Sequence, residues 1–420
     1  MTWKGADQAD SWYRRRGYTH FDRRVPLAFA RRYVQNPATV ARHSFLPFIS
    51  YVKTTPRYRP RERRVEVKRR AISYASHLDS HIYSWYSHEL SEALEKVLLR
   101  EECGASVIAY RALGKCNIEY ASEVFDHVEE RGACVVKAFD VSGFFDNIDH
   151  QLLKESWCRL LGGDRLPEDH YKVYKSITAY SCVQQSALYK ELGISGEAVS
   201  AGLDRLCTPE EFRTRVRAKG LIHRNDNGVG IPQGSPISAL LSNIYLLDFD
   251  RQMSTIARRI GGIYRRYSDD ILWICPAGVA GEIESEVHRC IGEFRLKINP
   301  TKIETSVFGY ESGGRLVSDK PLQYLGFVFD GQRRLVRPNT LARFYRRIRT
   351  AIRHAKRMAA KTGTDPRVFR RRIYERFSHL GTRNFVTYGR RAAITMDSDW
   401  MRRQVGRHWR KLHEWLPDDH

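Results

Sequence analysis

Two adjacent aspartates, Asp269 and Asp270, stand directly before an apolar run in the segment YRRYSDDILWIC. Short strand-like runs at 261–267 and 271–276 flank them with almost nothing between, which predicts a β-hairpin with SDD at its tip. Strand alternation sends neighbouring side chains to opposite faces, but at a tip both carboxylates can project toward one end of the sheet. A hairpin tip is also a common place for structural aspartates, because Asp tolerates turn geometry.

A second acidic strand end occurs at Asp140, which closes the apolar run CVVKAF and opens the turn-like segment DVSGFFDNIDH. If the two strands are neighbours, Asp140 and Asp269 lie within a few ångströms of each other. Carboxylates at that spacing repel unless cations neutralise them, and such hard oxygen ligands select Mg²⁺ or Mn²⁺. Two ions about 4 Å apart would activate a 3′-hydroxyl and stabilise the leaving pyrophosphate in phosphoryl transfer.

The net charge of +23 is divided unevenly along the 420 residues. Residues 1–70 carry 18 Lys and Arg against 5 Asp and Glu, and residues 331–420 carry 24 against 7. Residues 71–330 carry 29 against 36, so an acidic centre separates two basic ends. This pattern suits a protein that grips a polyanion at its periphery and gathers cations at its centre. The alternative is a generally basic surface.

The composition also bears on compartment. No stretch approaches the roughly 20 apolar residues that cross a bilayer, and the N-terminus lacks the apolar core of a signal peptide. The eight cysteines are scattered without CxxC or CxH pairs, which favours reduced thiols over a zinc site or a disulfide framework. We therefore expect a cytoplasmic protein without a membrane partner.

The patterns divide the chain into a basic N-terminal arm (1–64), a mixed region of strands and helices (65–335) and a basic helical region (336–420). The arm is polar, Arg-rich and broken by prolines, so we expect it to be irregular. In the loop GIPQGSP, Ser235 and Pro236 are expected to be the N-cap and first residue of an apolar helix. Further predicted elements are strands at 65–76 and 132–139, helices at 77–100 and 281–294, a mainly helical stretch at 151–222, a hairpin around 322–336, and helices from Tyr345 to Lys361 and from Val368 onward.

Taken in order, the motifs resemble those of reverse transcriptases, and most closely the bacterial ones. The segment around Asp140 resembles their motif A, GIPQGSPISALLSNIYL motif B, YSDD motif C, KINPTKIETSVF motif D and LQYLGF motif E. VKRRAISYASHLDSHIYSW and AYRALGKCNIEYA resemble early blocks of the fingers. The resemblance covers residues 65–335 and implies an α+β right-hand polymerase fold, with fingers, a palm built on an antiparallel sheet and a helical thumb.

The resemblance implies a site for two Mg²⁺ ions, or Mn²⁺. Asp140 and Asp269 would be the principal ligands, with the backbone carbonyl of Val141 as a further ligand. Asp270 would complete the acidic cluster and bind metal less directly. Ser268 stands where relatives often carry alanine, and the sequence assigns no role to its hydroxyl.

The resemblance also implies a site for dNTPs. Phe145 would be the steric gate that excludes a ribose 2′-hydroxyl, although a core aromatic is the alternative for it and for Phe144. Gln233 and Gly234 would lie against the incoming nucleotide and the template, where glycine allows close approach, although PQGSP is also simply a good turn. The cations implied at the triphosphate are Arg111, Lys68, Arg69 and Arg70, and Lys302 would be a general acid for pyrophosphate; each is alternatively an ordinary surface cation.

For the primer and template, Tyr324, Leu325 and Gly326 would form a primer grip, or only the core of a hairpin. The basic C-terminal helices would act as a thumb on the template-primer backbone through residues such as Arg346, Arg347 and Arg353. Aromatic residues among the C-terminal cations suit stacking on unpaired bases or burial in the thumb: Phe385, Tyr388 and Trp409.

Departures from known subfamilies indicate the class. No maturase extension, HNH nuclease, RNase H domain, VTG signature or NAxxH element is recognisable, and YERFSHLGTRNFVTYGRRA is similar to the stand-alone enzymes of antiphage defence. This similarity implies cDNA synthesis from an associated, structured non-coding RNA. Template-independent or protein-primed DNA synthesis, and a non-polymerising RNA-binding scaffold, remain alternatives. The template, primer type, trigger and oligomeric state have no signature in the sequence.

Overall fold

A computed structural model describes residues 10–59, 64–196, 202–363 and 369–416. The helices are α1 Leu27–Val34, α2 Pro37–Ala41, α3 His77–Arg100, α4 Asn117–Arg131, α5 His150–Leu161, α6 Glu168–Thr178, α7 Gln185–Leu192, α8 Pro209–Glu211, α9 Ser238–Tyr245, α10 Leu247–Arg259, α11 Ala280–Glu293, α12 Pro338–Thr362, α13 Arg370–Phe377, α14 Phe385–Thr395, α15 Asp399–Gly406 and α16 His408–Trp415. The strands are β1 Phe48–Arg59, β2 Arg64–Tyr74, β3 Cys134–Asp140, β4 Ser181–Gln184, β5 Ile222–Arg224, β6 Ile263–Tyr267, β7 Asp270–Cys275, β8 Glu304–Tyr310, β9 Leu316–Ser318, β10 Leu322–Tyr324, β11 Phe327–Phe329 and β12 Arg334–Val336.

The palm is a five-stranded antiparallel sheet in the order β6-β7-β3-β8-β9. Its central strand, β3, is apolar at successive positions because both faces of the sheet are covered. Val135 and Phe139 join a core with α3, α5, α9, α10 and α11, whereas Val136 joins a second core with α4 and the β10-β11-β12 sheet. A strand buried on both sides loses the usual polar alternation, as the run CVVKAF does.

The fingers contain a second sheet, in the order β2-β1-β4-β5. β1 and β2 form a long antiparallel hairpin, and β4 pairs with the base of β1 in parallel. The prediction of an irregular N-terminal arm is wrong for the described part of residues 10–64, because α1, α2 and β1 lie there. Trp12, Val34 and Val40 join the main core, so sparse apolar residues anchor the segment despite its many arginines.

The thumb consists of α12 to α16. α12 begins with Pro338, a residue suited to a first helical position, and extends further toward the N-terminus than the sequence predicts. Its buried stripe recurs at helical spacing, and four of its residues share a core with α13, α14, α15 and α16: Phe344, Ile348, Ile352 and Ala355. The predicted α+β, right-hand polymerase fold is confirmed, and the C-terminal region predicted to be its thumb is helical.

The structure confirms several of the predicted helices and strands. The helix at 77–100 and the hairpin of β6 and β7 are confirmed, as is the helix predicted at 281–294, which the structure has as α11. The expected domain boundaries after residues 64 and 335 both fall inside strands, β2 and β12. Among the described residues, no helix combines the length and apolarity needed to span a bilayer.

Candidate active site

Three aspartates lie at one end of the palm sheet. β3 and β7 are antiparallel neighbours in a register that pairs Asp140 with Asp270. The backbone N–H of Val141 donates to the carbonyl of Asp269 over 3.1 Å, which ties the end of β3 to the turn before β7. The prediction that the two acidic strand ends are neighbours is therefore confirmed.

The electrostatics of Asp270 reflect this crowding. Asp270 is an exposed residue, but protein atoms around its carboxyl desolvate it, which is the main cause that raises its pKa to about 7, and the negative charges of Asp269 and Asp140 raise it further. Lys302 and Lys68 act in the opposite direction. Near neutral pH the cluster therefore resists carrying its full negative charge, which is the situation a bound cation relieves.

The oxygen donors are present, but they do not converge. Among the described residues no three Asp, Glu, His or Cys side chains are gathered closely enough to hold a metal ion as they stand. The ammonium of Lys302 is bonded to Asp140 Oδ1, in competition with any other cation for that oxygen. Carboxylates of this kind fit a hard divalent ion once Lys302 releases Asp140 and the side chains turn toward one another.

A buried ion pair contacts the turn that carries Asp269 and Asp270 from the protein interior. Arg266 and Asp250 both have fully buried side chains, and the guanidinium donates to the two carboxylate oxygens over 2.7 and 2.5 Å. Arg266 Nη1 also donates to the carbonyl of Ser268 over 3.1 Å and to Asn243 Oδ1 over 3.2 Å. In the sequence, Arg266 is marked only as the second of two arginines in a short strand-like run.

Arg111 is not in the cleft. Its side chain is only 5% exposed and forms a forked pair with Glu95, with Nε–Oε1 at 2.7 Å and Nη2–Oε2 at 2.5 Å. Its Nη1 donates to the carbonyl of Val107 over 2.6 Å. The expected contact with a triphosphate would require these bonds to break, so the structure shows an anchor for the backbone at this position.

The three cations of β2 point to two faces of the hairpin. Lys68 and Arg70 alternate with Arg69, and they are half-buried whereas Arg69 is exposed. Lys68 lies near enough to the cluster to lower the pKa of Asp270. The structure therefore brings the face of Lys68 and Arg70 toward the aspartates and turns Arg69 away.

The two phenylalanines after Asp140 are distinct. Phe144 is 3% exposed and belongs to the main core, whereas Phe145 is half-buried at its edge. The carbonyl of Phe145 accepts the N–H of Ile231 over 2.9 Å, which joins this turn to the GIPQGSP loop. Of the two candidates, only Phe145 has appreciable ring surface for a nucleotide to contact.

The GIPQGSP loop packs against the fingers. The carbonyl of Gln233 accepts the N–H of Ser73 over 2.7 Å, and Gly234 has φ +113°. A Cβ at Gly234 would lie 2.6 Å from the carbonyl oxygen of Ser73, so only glycine fits. The predicted helix start at Ser235 and Pro236 is wrong: α9 begins at Ser238, because the preceding residues form the turn that reaches β2.

A cavity of about 430 Å³ adjoins Gly234 on the fingers side. Four tyrosines line it together with Gln185, whose amide donates to the hydroxyl of Tyr74 over 3.1 Å. The tyrosines are Tyr18, Tyr51, Tyr74 and Tyr189. The sequence carries no signal for this cavity, because its walls come from six separate segments of the chain.

The predicted primer grip is a tight hairpin turn. Leu325 and Gly326 join β10 to β11 and both have positive φ, +44° and +97°, as a two-residue hairpin connection requires. Tyr324 is 5% exposed, and its hydroxyl has no hydrogen-bond partner in the described part of the chain. Burial raises the pKa of this phenol above its ordinary value. The hairpin core explains these residues at least as well as a grip does.

In the thumb, three of the predicted arginines stand on the exposed side of α12, and none has an acidic partner within the described ranges: Arg346, Arg347 and Arg353.

The aromatic residues predicted to stack on bases are placed differently from one another. Phe385 packs on Phe344 with ring centroids 4.5 Å apart, and Tyr388 accepts a hydrogen bond from Asn117. Trp409 is 37% exposed. Its ring also packs on His379 and His413, with ring centroids 4.7 and 4.5 Å apart, so all three aromatics make packing contacts and Trp409 keeps an exposed surface as well.

Comparison with known proteins yields one family. The model described as reverse transcriptase (RNA-dependent DNA polymerase) matches residues 169–329, a range that holds Gln233, Asp269, Asp270 and Lys302 but begins after Asp140. Among solved structures, the truncated apo telomerase of Candida tropicalis aligns with a TM-score of 0.46 and 10% identity, over 69% of this chain and 55% of that one.

Two curated relatives come from Myxococcus xanthus. The Retron Mx162 reverse transcriptase is 37% identical over 76 residues, and the Retron Mx65 reverse transcriptase is 39% identical over 77 residues. Each alignment covers 18% of this chain, and they cover 16% and 18% of the relatives. By these matches residues 169–329 are similar to the reverse transcriptase model, and a stretch of under 80 residues is similar to two bacterial reverse transcriptases.

Proposed function

We propose that this protein is an RNA-directed DNA polymerase that copies RNA into cDNA by metal-dependent nucleotidyl transfer. The observation that carries the proposal is the pairing of Asp140 with Asp270 on adjacent palm strands, beside Asp269. The raised pKa of Asp270 supports it, because such a cluster is most stable with a cation bound. The family match supports the choice of polymer and template.

The metals proposed are two Mg²⁺ ions, or Mn²⁺, held by Asp140 and Asp269 with the carbonyl of Val141, while Asp270 adds charge. When bound, they supply neutralisation of the triphosphate and activation of the primer hydroxyl. Lys302 is bonded to Asp140 in this state, and its release would leave an ammonium beside the reacting phosphates. An ammonium there can donate a proton to the departing pyrophosphate.

The remaining residues would bind and orient the substrates. Lys68 and Arg70, on the face of β2 near the aspartates, would pair with triphosphate oxygens. Phe145 would exclude a 2′-hydroxyl by contact of its half-exposed ring. Gln233 and Gly234 would lie beneath the nascent base pair, where the absence of a Cβ already lets two backbones approach closely.

The partners proposed are an RNA template, dNTPs and the cDNA product. The tyrosine-lined cavity beside Gly234 would take an unpaired template base, because aromatic faces stack on bases without regard to sequence. Arg346, Arg347 and Arg353 would contact the template-primer backbone. We further propose a cytoplasmic role in antiphage defence with a structured non-coding RNA, on the similarity of the C-terminal segment to stand-alone bacterial enzymes.

The test is dNTP incorporation by the purified protein together with the RNA that copurifies with it. We expect Mg²⁺-dependent incorporation that falls at least a hundredfold in Asp269→Ala, whereas Asp226→Ala, at an exposed aspartate paired with Arg224, should leave it unchanged. Sequencing the product separates the alternatives. Copied RNA sequence supports the proposal, random or single-base tracts indicate untemplated synthesis, and no incorporation indicates a scaffold.

A further inference from the structure

The turn that carries the two aspartates contains a strained residue. Ser268 has φ +62°, a conformation that residues with a Cβ rarely adopt, and it is 4% exposed. Its carbonyl is held by Arg266 from the buried side. Because Ser268 directly precedes Asp269, its backbone angles set the direction in which both carboxylates leave the turn.

A second contact holds Ser268 from the open side. The hydroxyl of Tyr110 donates to Ser268 Oγ over 3.0 Å. Tyr110 also has a positive φ, +61°, and it is 46% exposed. Two strained residues, 158 positions apart in the chain, are therefore joined hydroxyl to hydroxyl at the mouth of the site.

The segment that presents Tyr110 is fixed at several points. The N–H of Arg266 donates to the carbonyl of Ser106 over 2.7 Å, and the N–H of Ile108 donates to the carbonyl of Arg266 over 3.1 Å. The amide of Asn243 donates to the carbonyl of Ala109 over 2.9 Å. Arg111, which directly follows Tyr110, donates back to the carbonyl of Val107, so the segment is bonded on both sides of Tyr110. The phenol thus reaches Ser268 from a support that cannot easily move.

We propose that Tyr110 is a positioning residue for nucleotidyl transfer, which keeps Ser268 in its left-handed conformation and so orients Asp269 and Asp270. This inference rests on the proposed function. It also gives a role to the hydroxyl of Ser268, which receives the bond, and to Arg111, which anchors the segment instead of binding the triphosphate.

The test compares Tyr110→Phe, Ser268→Ala and the double variant with wild type. Loss of one hydrogen bond at the turn should lower kcat about three- to tenfold and leave the KM for dNTP within about twofold. The double variant should be no slower than the slower single variant, since both remove the same bond. The matched control is Tyr13→Phe, which removes a hydroxyl bonded to the carbonyl of Val25 over 2.9 Å and should leave kcat unchanged.

Hydrogen exchange of the peptide spanning residues 264–275 provides a readout that does not depend on activity. Faster exchange in Tyr110→Phe than in wild type or Tyr13→Phe is expected. Unchanged exchange, or effects of the two single variants on kcat that multiply, would overturn the inference. Absence of nucleotide incorporation by wild type would instead overturn the proposed function, and the exchange result would still decide whether the bond holds the turn.

Discussion

At the scale of single residues, the chemistry of the site depends on the pKa of Asp270, which desolvation and the neighbouring carboxylates raise. Asp270 has a pKa of about 7 because protein atoms desolvate its carboxyl and because it stands beside Asp269 and Asp140. In an unfolded chain this pKa would be near 4. The folded state therefore holds a proton that the unfolded state has already lost between about pH 4 and 7, so ionisation of Asp270 makes folding less favourable as pH rises.

Replacing this carboxyl should therefore change the pH dependence of stability. Without divalent cations, Asp270→Asn should have a thermal midpoint about 2 °C or more above wild type at pH 8 and a smaller advantage at pH 5. Added Mn²⁺ should reverse the order at pH 8 by stabilising only wild type. Scanning calorimetry checks this, with Asp226→Asn as control. An equal difference at both pH values would show that Asp270 titrates normally.

Gly234 offers a second residue-scale prediction. Gly234→Ala places a Cβ within 2.6 Å of the Ser73 carbonyl at φ +113°, so it should cost about 1–3 kcal/mol of unfolding free energy. Gly292→Ala, in the last turn of α11 where an added Cβ would meet nothing within 4 Å, should be neutral or slightly stabilising. Urea unfolding of both variants measures the difference. A loss at Gly292 as large as that at Gly234 would contradict the close-approach argument.

The sequence predicts the positions of residues whose motif fixes the local backbone. It does not predict which group a side chain binds. The neighbouring placement of Asp140 and Asp270 follows from two apolar runs that each end in Asp. The buried pairing of Arg111 with Glu95 does not, because an arginine looks the same in a sequence whether it meets phosphate or carboxylate. The bond between Tyr110 and Ser268 could not be predicted either, because it joins two hydroxyls that are 158 positions apart in the chain.

At the scale of elements, the aspartate hairpin depends on the ion pair beneath it. β6 carries Arg266 into a fully buried position, where Asp250 of α10 neutralises it. Periodicity predicted both the strand and the helix that follows β7. It could not predict that β6 packs against α10 through charge, since the register between separate elements is a property of the folded chain.

Breaking this pair on one side should be costly. Arg266→Met leaves Asp250 buried without its partner and should lower the free energy of unfolding by about 3–5 kcal/mol. The double variant Arg266→Met, Asp250→Leu should recover part of that loss, because it removes both buried charges. Denaturant titration is the measurement. A double variant less stable than Arg266→Met alone would mean that Asp250 stabilises the fold through its other bond, the one it accepts from the hydroxyl of Tyr264 over 2.6 Å.

At the scale of the whole molecule, charge is divided between regions as the sequence indicated. The carboxylates lie at the end of the palm sheet, and several arginines lie on the exposed side of α12. The arrangement of three sheets and a helical thumb was predictable only through the ordered motifs. The structure of the N-terminal segment was not, because high charge masked the few apolar residues that anchor it.

The thumb arginines should govern the salt dependence of RNA binding. Replacing Arg346, Arg347 and Arg353 together by Ala should reduce the slope of log affinity against log salt by about 2–3, with little effect of RNA sequence. Arg289→Ala, which removes a guanidinium already paired with Glu286 on α11, should leave the slope unchanged. Fluorescence anisotropy at several salt concentrations checks this. Equal slopes for the triple variant and wild type would show that these thumb arginines do not contact RNA phosphates.

The central claim is that Asp140, Asp269 and Asp270 form the site of RNA-templated DNA synthesis. It is tested most directly by single-nucleotide extension of a DNA primer annealed to RNA templates that differ only in the next base. The account predicts that, with Mg²⁺, wild type adds the dNTP complementary to each template base and that Asp140→Asn adds none. Addition of the same nucleotide on every template, or equal extension by Asp140→Asn, would contradict it.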